Sequence, residues 1–152
     1  MGNPDPDVDK LCNVQYAVDF VNGYKDEAAE FAKQVDVPME FILGLAAEET
    51  RWGTGDVGNK DNNYFSMHAP APFQTGSRVA KKNPKVQIAQ FKTVHDSGRS
   101  FIKKYGDSIR GARDPKEFGQ RLKDAGYNRE RADFVDYLAG RIGETKRRLA
   151  CP

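Results

Sequence analysis

Apolar positions follow helical spacing toward both ends of the chain and lose it in the middle. Leu11, Val14, Val18 and Val21 recur every three or four residues, which predicts a helix over 9–21, with Pro4 and Pro6 marking a loose entry before it. Asn22-Gly23 is expected to stop that helix. Ala28, Ala29, Phe31 and Ala32 form the stripe of a second helix over 26–35. Pro38 opens a third, because proline suits the first helical position, and this helix runs to about Trp52 before Gly53 and Gly55. The loop TGDVGNKDNN follows, and then a segment broken by Pro70, Pro72, Gly76 and Pro84. Within it, Val86 to Phe91 alternates as a strand does. Helical spacing returns at about 93–105, 114–125 and 130–149. The last helix carries Ala132, Val135, Leu138, Ala139 and Ile142 on one face, and Lys146, Arg147 and Arg148 at the negative end of its dipole. The expected fold is mainly α, with a small irregular β-hairpin lobe inserted between helices, in one domain spanning 1–152.

Composition narrows the class. The 152 residues are 38% hydrophobic and include nine Phe, six Tyr and one Trp, enough to fill a core and to exclude wholesale disorder. Mean hydropathy is −0.74 and no apolar run approaches the ~18 residues of a membrane span, so no membrane partner is expected. Residues 1–10 lack the basic-then-apolar pattern of a cleavable signal peptide. Cys12 and Cys151 lie near the two ends, either as a bridge that would imply an oxidising compartment or as two separate thiols. No Cys/His cluster has ligand spacing, so no metal and no cofactor is expected.

Net charge is only +2, but it is unevenly placed. Asn62 to His95 contains no Asp or Glu while carrying Arg78, Lys81, Lys82, Lys85 and Lys92, which leaves the rest of the chain mildly acidic. A positive segment on such a body suits an anionic or polar polymer, or merely solvates a loop. Nucleic acid is not the expected partner, because the pI is about 8.5 and no binding motif is present.

One residue breaks the helical pattern. At 100° per residue, Phe41, Ile42, Leu45, Ala46 and Trp52 share an apolar face, and Glu49 falls near its centre, with Glu48 at its edge. A carboxyl there is costly unless it is paired, neutralised or lines a cleft. Desolvation would raise its pKa, as a general acid working near neutrality requires; the alternative is a Glu bonded to backbone or to a nearby cation such as Arg51. An acid beside an aromatic-lined polar cleft is a glycosidase arrangement, with Trp52, Tyr64, Phe65 and Tyr127 as candidate sugar-stacking faces.

FILGLAAEETRWGTG (41–55) and NNYFSMH (62–68), followed by Ala89-Gln90-Phe91-Lys92 and Ala125-Gly126-Tyr127, resemble the glucosaminidase-type peptidoglycan hydrolases. That group is glycoside hydrolase family 73 of the lysozyme superfamily, and the motifs stand in its order across roughly 25–145. The resemblance implies a lysozyme-like α+β fold and cleavage of the β-1,4 glycan backbone of peptidoglycan, by an N-acetylglucosaminidase or a muramidase. It makes Glu49 the general acid and puts Tyr127 in the cleft beside the reacting sugar. Trp52, Asn63, Tyr64, Phe65 and His68 are the candidate substrate-binding residues. The departure lies in the hairpin lobe, where relatives are thought to carry a second carboxylate and this chain has none. Asp56 and Asp61 are the loop candidates, and Asp61 is favoured because it precedes Asn62-Asn63. An inverting reaction would hold it ~6.5–9.5 Å from Glu49, and a nucleophile would sit at ~5–5.5 Å. Substrate assistance by the N-acetyl group, a lytic transglycosylase acting through Glu49 alone, and a non-catalytic peptidoglycan-binding module stay open. The resemblance further implies action in the periplasm or cell wall, by a monomer; the lack of a leader, the Met1-Gly2 start and a possible end-to-end bridge suggest a domain cut from a larger lysin, autolysin or secreted antibacterial toxin. A toxin would require a cognate immunity protein.

Overall fold

The computed structural model describes residues 10–127 and 131–152. The chain runs α1 (Gln15–Val35), α2 (Met39–Thr50), α3 (Asp56–Asp61), β1 (Gly76–Val79), β2 (Gln87–Gln90), α4 (Val94–Ile109), α5 (Pro115–Asp124) and α6 (Phe134–Leu149). This is the expected mainly helical fold with a hairpin lobe between helices. The entry at Pro4 and Pro6 lies outside the described residues, as does residue 130, where the last helix was expected to begin.

Asn22-Gly23 does not stop the first helix. α1 continues through it for 21 residues, so the part of the first expected helix from Gln15 onward and the helix expected over 26–35 are one, while residues 10–12 form a separate turn of helix. A central glycine costs about 1 kcal/mol relative to alanine. Against that, Phe20 and Val21 before it and Tyr24, Ala28, Phe31 and Val35 after it are buried along the same stripe. Each large side chain among them contributes roughly 1.5–3 kcal/mol, so packing decides the outcome. Asp36 ends α1 in the left-handed region (φ 54°), its N–H donating to the carbonyls of Ala32 and Lys33.

α2 is the central helix. Every residue from Phe41 to Ala47 is buried, because α1 packs on one side of it and α6 on another. The one-sided stripe read from the sequence is therefore replaced by an apolar cylinder. A Cβ on Gly44 would stand 2.8 Å from Ile142 Cγ1, so glycine is what lets α6 approach. A Cβ on Gly98 would clash with one edge of the Phe31 ring, which sets the approach of α4 to α1 in the same way.

α2 ends on three successive left-handed residues: Arg51 (φ 49°), Trp52 (φ 55°) and Gly53 (φ 79°). Thr50 holds this turn, its hydroxyl donating to Ala46 O and accepting from Gly53 N. The hairpin pairs Gly76 with Gln90 and Val79 with Gln87, and an isolated bridge from His68 to Ile88 adds a third short segment. Asn63 pins the lobe: its amide donates to Met67 O and Ala89 O, and its oxygen accepts from Met67 N, each at 2.9 Å. Thr93 and Asp114 cap α4 and α5 by accepting from backbone N–H groups of their first turns. Cys12 and Cys151 are bonded, with 5.7 Å between their Cα atoms. Among the described residues no helix is long and apolar enough to cross a membrane.

Candidate active site

Glu49 sits in the last turn of α2, where the helix emerges from the core beside the hairpin lobe. It is partly exposed, and its exposed part faces two cavities of about 490 and 370 Å³ that also share Ala80, Lys82 and Ile88. Burial pushes its carboxyl from the ordinary 4.5 up to about 7, against opposing pulls from hydrogen bonds with Tyr127 and Ser66. The neighbouring charge of Glu48 adds to the rise.

Glu48, one residue earlier, meets the opposite treatment. Its carboxylate accepts from Arg131 Nη1 at 3.0 Å and from Arg141 Nε at 2.8 Å. Adjacent positions on α2 thus hold one compensated carboxylate and one carboxyl poised to be protonated near neutrality.

Tyr127 lines the larger cavity with Glu49. Its ring is 4% exposed and lies edge-on to Phe101 and Tyr105. Its hydroxyl donates to Phe65 O at 2.7 Å. Burial, and secondarily the Glu49 charge, raises its pKa well above the ordinary value, so the phenol keeps its proton. Gly126, at φ 96°, makes the turn that brings the ring inward.

The remaining expected residues separate into two groups. His68 lines the larger cavity. Trp52, Asn63, Tyr64, Phe65 and Asp61 line neither. Trp52 is 7% exposed, edge-on to Phe20 and covered by the Arg148 guanidinium 4.3 Å from its ring centroid. Tyr64 packs against Phe20 and Tyr24. Phe65 is fully buried against Phe101, although its carbonyl holds Tyr127. Asn63 is consumed by the lobe's backbone. The structure therefore places these side chains in support of the site and not on its surface.

Asp61 departs most from expectation. Its side chain is 1% exposed and is clamped by Arg78, whose Nε lies 3.0 and 2.9 Å from its two oxygens and whose Nη2 lies 2.6 Å from Oδ2. Gln90 donates to it as well, at 3.2 Å. The carboxylate thus ties α3 to both strands of the hairpin. The other loop candidate, Asp56, does line the smaller cavity, where Lys81 and Lys60 hold its carboxyl below the ordinary range.

Residues 25–146 match the profile of the glucosaminidase family, described as mannosyl-glycoprotein endo-beta-N-acetylglucosaminidase. The chain belongs to this family. It is similar to a chain in a type VI secretion system effector–immunity complex from Pseudomonas protegens, with 44% identity and a TM-score of 0.86 over 93% of this chain and 99% of that one. It is also similar to a peptidoglycan hydrolase from Sphingomonas sp. A1, with 25% identity and a TM-score of 0.75 over 87% and 92% of the two chains. The glycoside hydrolase domain of FlgJ from Salmonella typhimurium shares the fold at 20% identity, with a TM-score of 0.60 over 86% and 88%. A comparison with curated proteins gives no match.

In this glucosaminidase-family chain the cavity also takes in Lys82, from the acid-free basic segment, and Ser66, Asn83, Lys104 and Tyr105, which sequence reasoning did not single out. Ser66 had a signal, since it directly follows the Asn62–Phe65 motif and adopts a left-handed backbone (φ 48°). Lys104 and Tyr105 had none, because α4 reaches the cavity only through packing. Asp61→Asn is expected to lower the melting temperature while leaving turnover within about threefold, because it unpairs Arg78 and removes no cavity group. Breaking one side of a buried pair costs about 3–5 kcal/mol, and the 27% exposure of Arg78 brings that down to about 2–3. Thermal denaturation and turnover measured together check it, and a large loss of turnover at unchanged stability would restore Asp61 to the chemistry.

Proposed function

We propose that this glucosaminidase-family chain hydrolyses the β-1,4 bond of peptidoglycan that leaves N-acetylglucosamine at the new reducing end, with Glu49 as general acid. The observation that carries the reading is the Glu49 carboxyl: it faces the cavity, and burial holds it protonated up to about pH 7. Its proton goes to the leaving glycosidic oxygen as the bond to C1 breaks. A hydrogen bond with Tyr127 keeps the carboxyl oriented.

The bond to C1 must then be completed by water. Asp56 is the further carboxylate that faces a cavity among the described residues, and the substrate's 2-acetamido oxygen is the other available group. Asp56→Asn separates them: a loss above about 100-fold assigns the water to Asp56, whereas near-full activity assigns the step to the acetamido oxygen.

Similarity to the Pseudomonas protegens chain supports an antibacterial effector acting in the periplasm or cell wall, with an immunity protein as its partner. Digestion of purified sacculi followed by mass spectrometry of the released muropeptides tests the bond assignment. Reducing N-acetylglucosamine is expected. Reducing N-acetylmuramic acid would make the enzyme a muramidase, a 1,6-anhydro product a lytic transglycosylase, and no new ends a binding module.

A further inference from the structure

Five cations line the two cavities: Arg51, Arg78, Lys81, Lys82 and Lys104. Two of them are matched internally, Arg78 by Asp61 and Lys81 by Asp56 at 3.0 Å. Arg51, Lys82 and Lys104 form no ion pair among the described residues. The larger cavity is bounded from two sides, by Lys82 on the β1–β2 connection and by Lys104 on α4, and among the described residues Glu49 is the one carboxyl that lines it. The acid-free run from Asn62 to His95 leaves Lys82 no counter-charge on its own lobe, and the partners of Arg78 and Lys81 come from α3.

A neutral glycan gives such a wall nothing to pair with. Its hydroxyl and acetamido groups hydrogen-bond equally well to uncharged donors, and bringing it against two hydrated ammonium groups costs desolvation that is not recovered. An anionic substituent recovers it, through charge-assisted bonds of roughly twice the strength of neutral ones. A cleft lined by one sign of charge also concentrates ligands of the other sign. In a peptidoglycan strand, carboxylates hang from the lactyl arm of every second sugar: the lactyl group's own when no peptide is attached, and those of the peptide when one is.

We propose that Lys82 and Lys104 form a carboxylate-reading subsite that selects, at the cleavage site, the sugar bearing the anionic lactyl arm over a neutral amino sugar. This rests on the peptidoglycan reading above and names what in that polymer the cavity recognises. The lysines bind and select and do not take part in bond cleavage.

The test measures binding, with Glu49→Gln as the background so that no ligand is consumed. Three probes of equal length are compared: a peptide-bearing glycan tetrasaccharide, the same strand stripped by an amidase, and a chito-oligosaccharide. The background protein is expected to bind at least one carboxylate-bearing probe about tenfold more tightly than the chito-oligosaccharide. Adding Lys82→Gln and Lys104→Gln is expected to remove that advantage and leave chito-oligosaccharide affinity within twofold. Lys85→Gln, on the same connection but lining neither cavity, is the control and is expected to change nothing. The advantage falls as salt rises. Whether the stripped or the peptide-bearing probe carries the effect says which carboxylate is read. Equal affinity for all three probes overturns the proposal, as does an equal loss on the chito-oligosaccharide or an equal effect from Lys85→Gln. Lysine-dependent selection by a protein whose wild type releases no reducing ends would refute the hydrolase reading alone, and reducing ends without selection would refute the subsite alone.

Discussion

Glu49→Gln is expected to lower muropeptide release by about 10³-fold, within the range that general acids contribute, while the protein stays folded. The amide keeps the shape of the carboxyl and lacks the transferable proton. If Glu49 is the acid proposed above, it is also expected to set the alkaline limb of the wild-type profile. The acid must be protonated, and its pKa stands at about 7, so turnover falls as pH rises through that value. Stability moves with it. The folded protein holds a proton on Glu49 between the ordinary 4.5 and about 7, whereas the unfolded chain does not. Stability is therefore fully present below 4.5 and is lost as pH rises through about 7, beyond which a desolvated carboxylate remains. The shift corresponds to on the order of 3 kcal/mol, reduced to about 1–2 because the group opens to solvent through the cavity. Glu49→Gln does not titrate, so at pH 8 it is expected to melt about 3–6 °C above wild type, and near pH 5 to match it more closely. Lysis assays and thermal melts at the two pH values check both halves. Residual lysis within tenfold of wild type would remove Glu49 from the chemistry.

Loss of the Cys12–Cys151 bridge is the second large effect. The bond closes a loop across 139 positions of the chain. In the chain-entropy model such a loop is worth about 5 kcal/mol, and measured bridges deliver about 2–4. The Cys12→Ser, Cys151→Ser pair is therefore expected to melt about 10 °C below wild type, at 2–4 °C per kcal/mol for a chain of this size. Neither cysteine lines a cavity, so turnover at 25 °C is expected to persist. Melting with and without reductant gives the same comparison in the unaltered chain, and a difference under 2 °C would show that packing alone holds the termini. A bridge of this kind belongs to an oxidising compartment, in keeping with action outside the cytoplasm.

Much of the fold was legible because helical periodicity is local. α4, α5 and α6 begin within a few residues of where the spacing puts them, and the hairpin lies in the segment that prolines and glycines interrupt. The Asn22-Gly23 stop was misread because a local breaker was weighed without the packing of the α1 stripe on its neighbours. Glu49 was legible because a carboxyl among apolar positions needs an explanation at any level of structure. Asp61 was not, because its environment is made by Arg78 and Gln90, which lie 17 and 29 positions away.

The sequence by itself determined the helical and hairpin segments, the misplaced carboxyl of α2 and the acid-free wall opposite it, since each follows from spacing and residue type. Only the tertiary structure decided which carboxylate faces the cavity, that Trp52 is core and not a sugar platform, that Lys104 joins Lys82 across the cleft, and that the two cysteines meet. The reason is physical. Periodicity tells which side of an element is apolar, but burial, pairing and pKa depend on what the rest of the chain brings against that side.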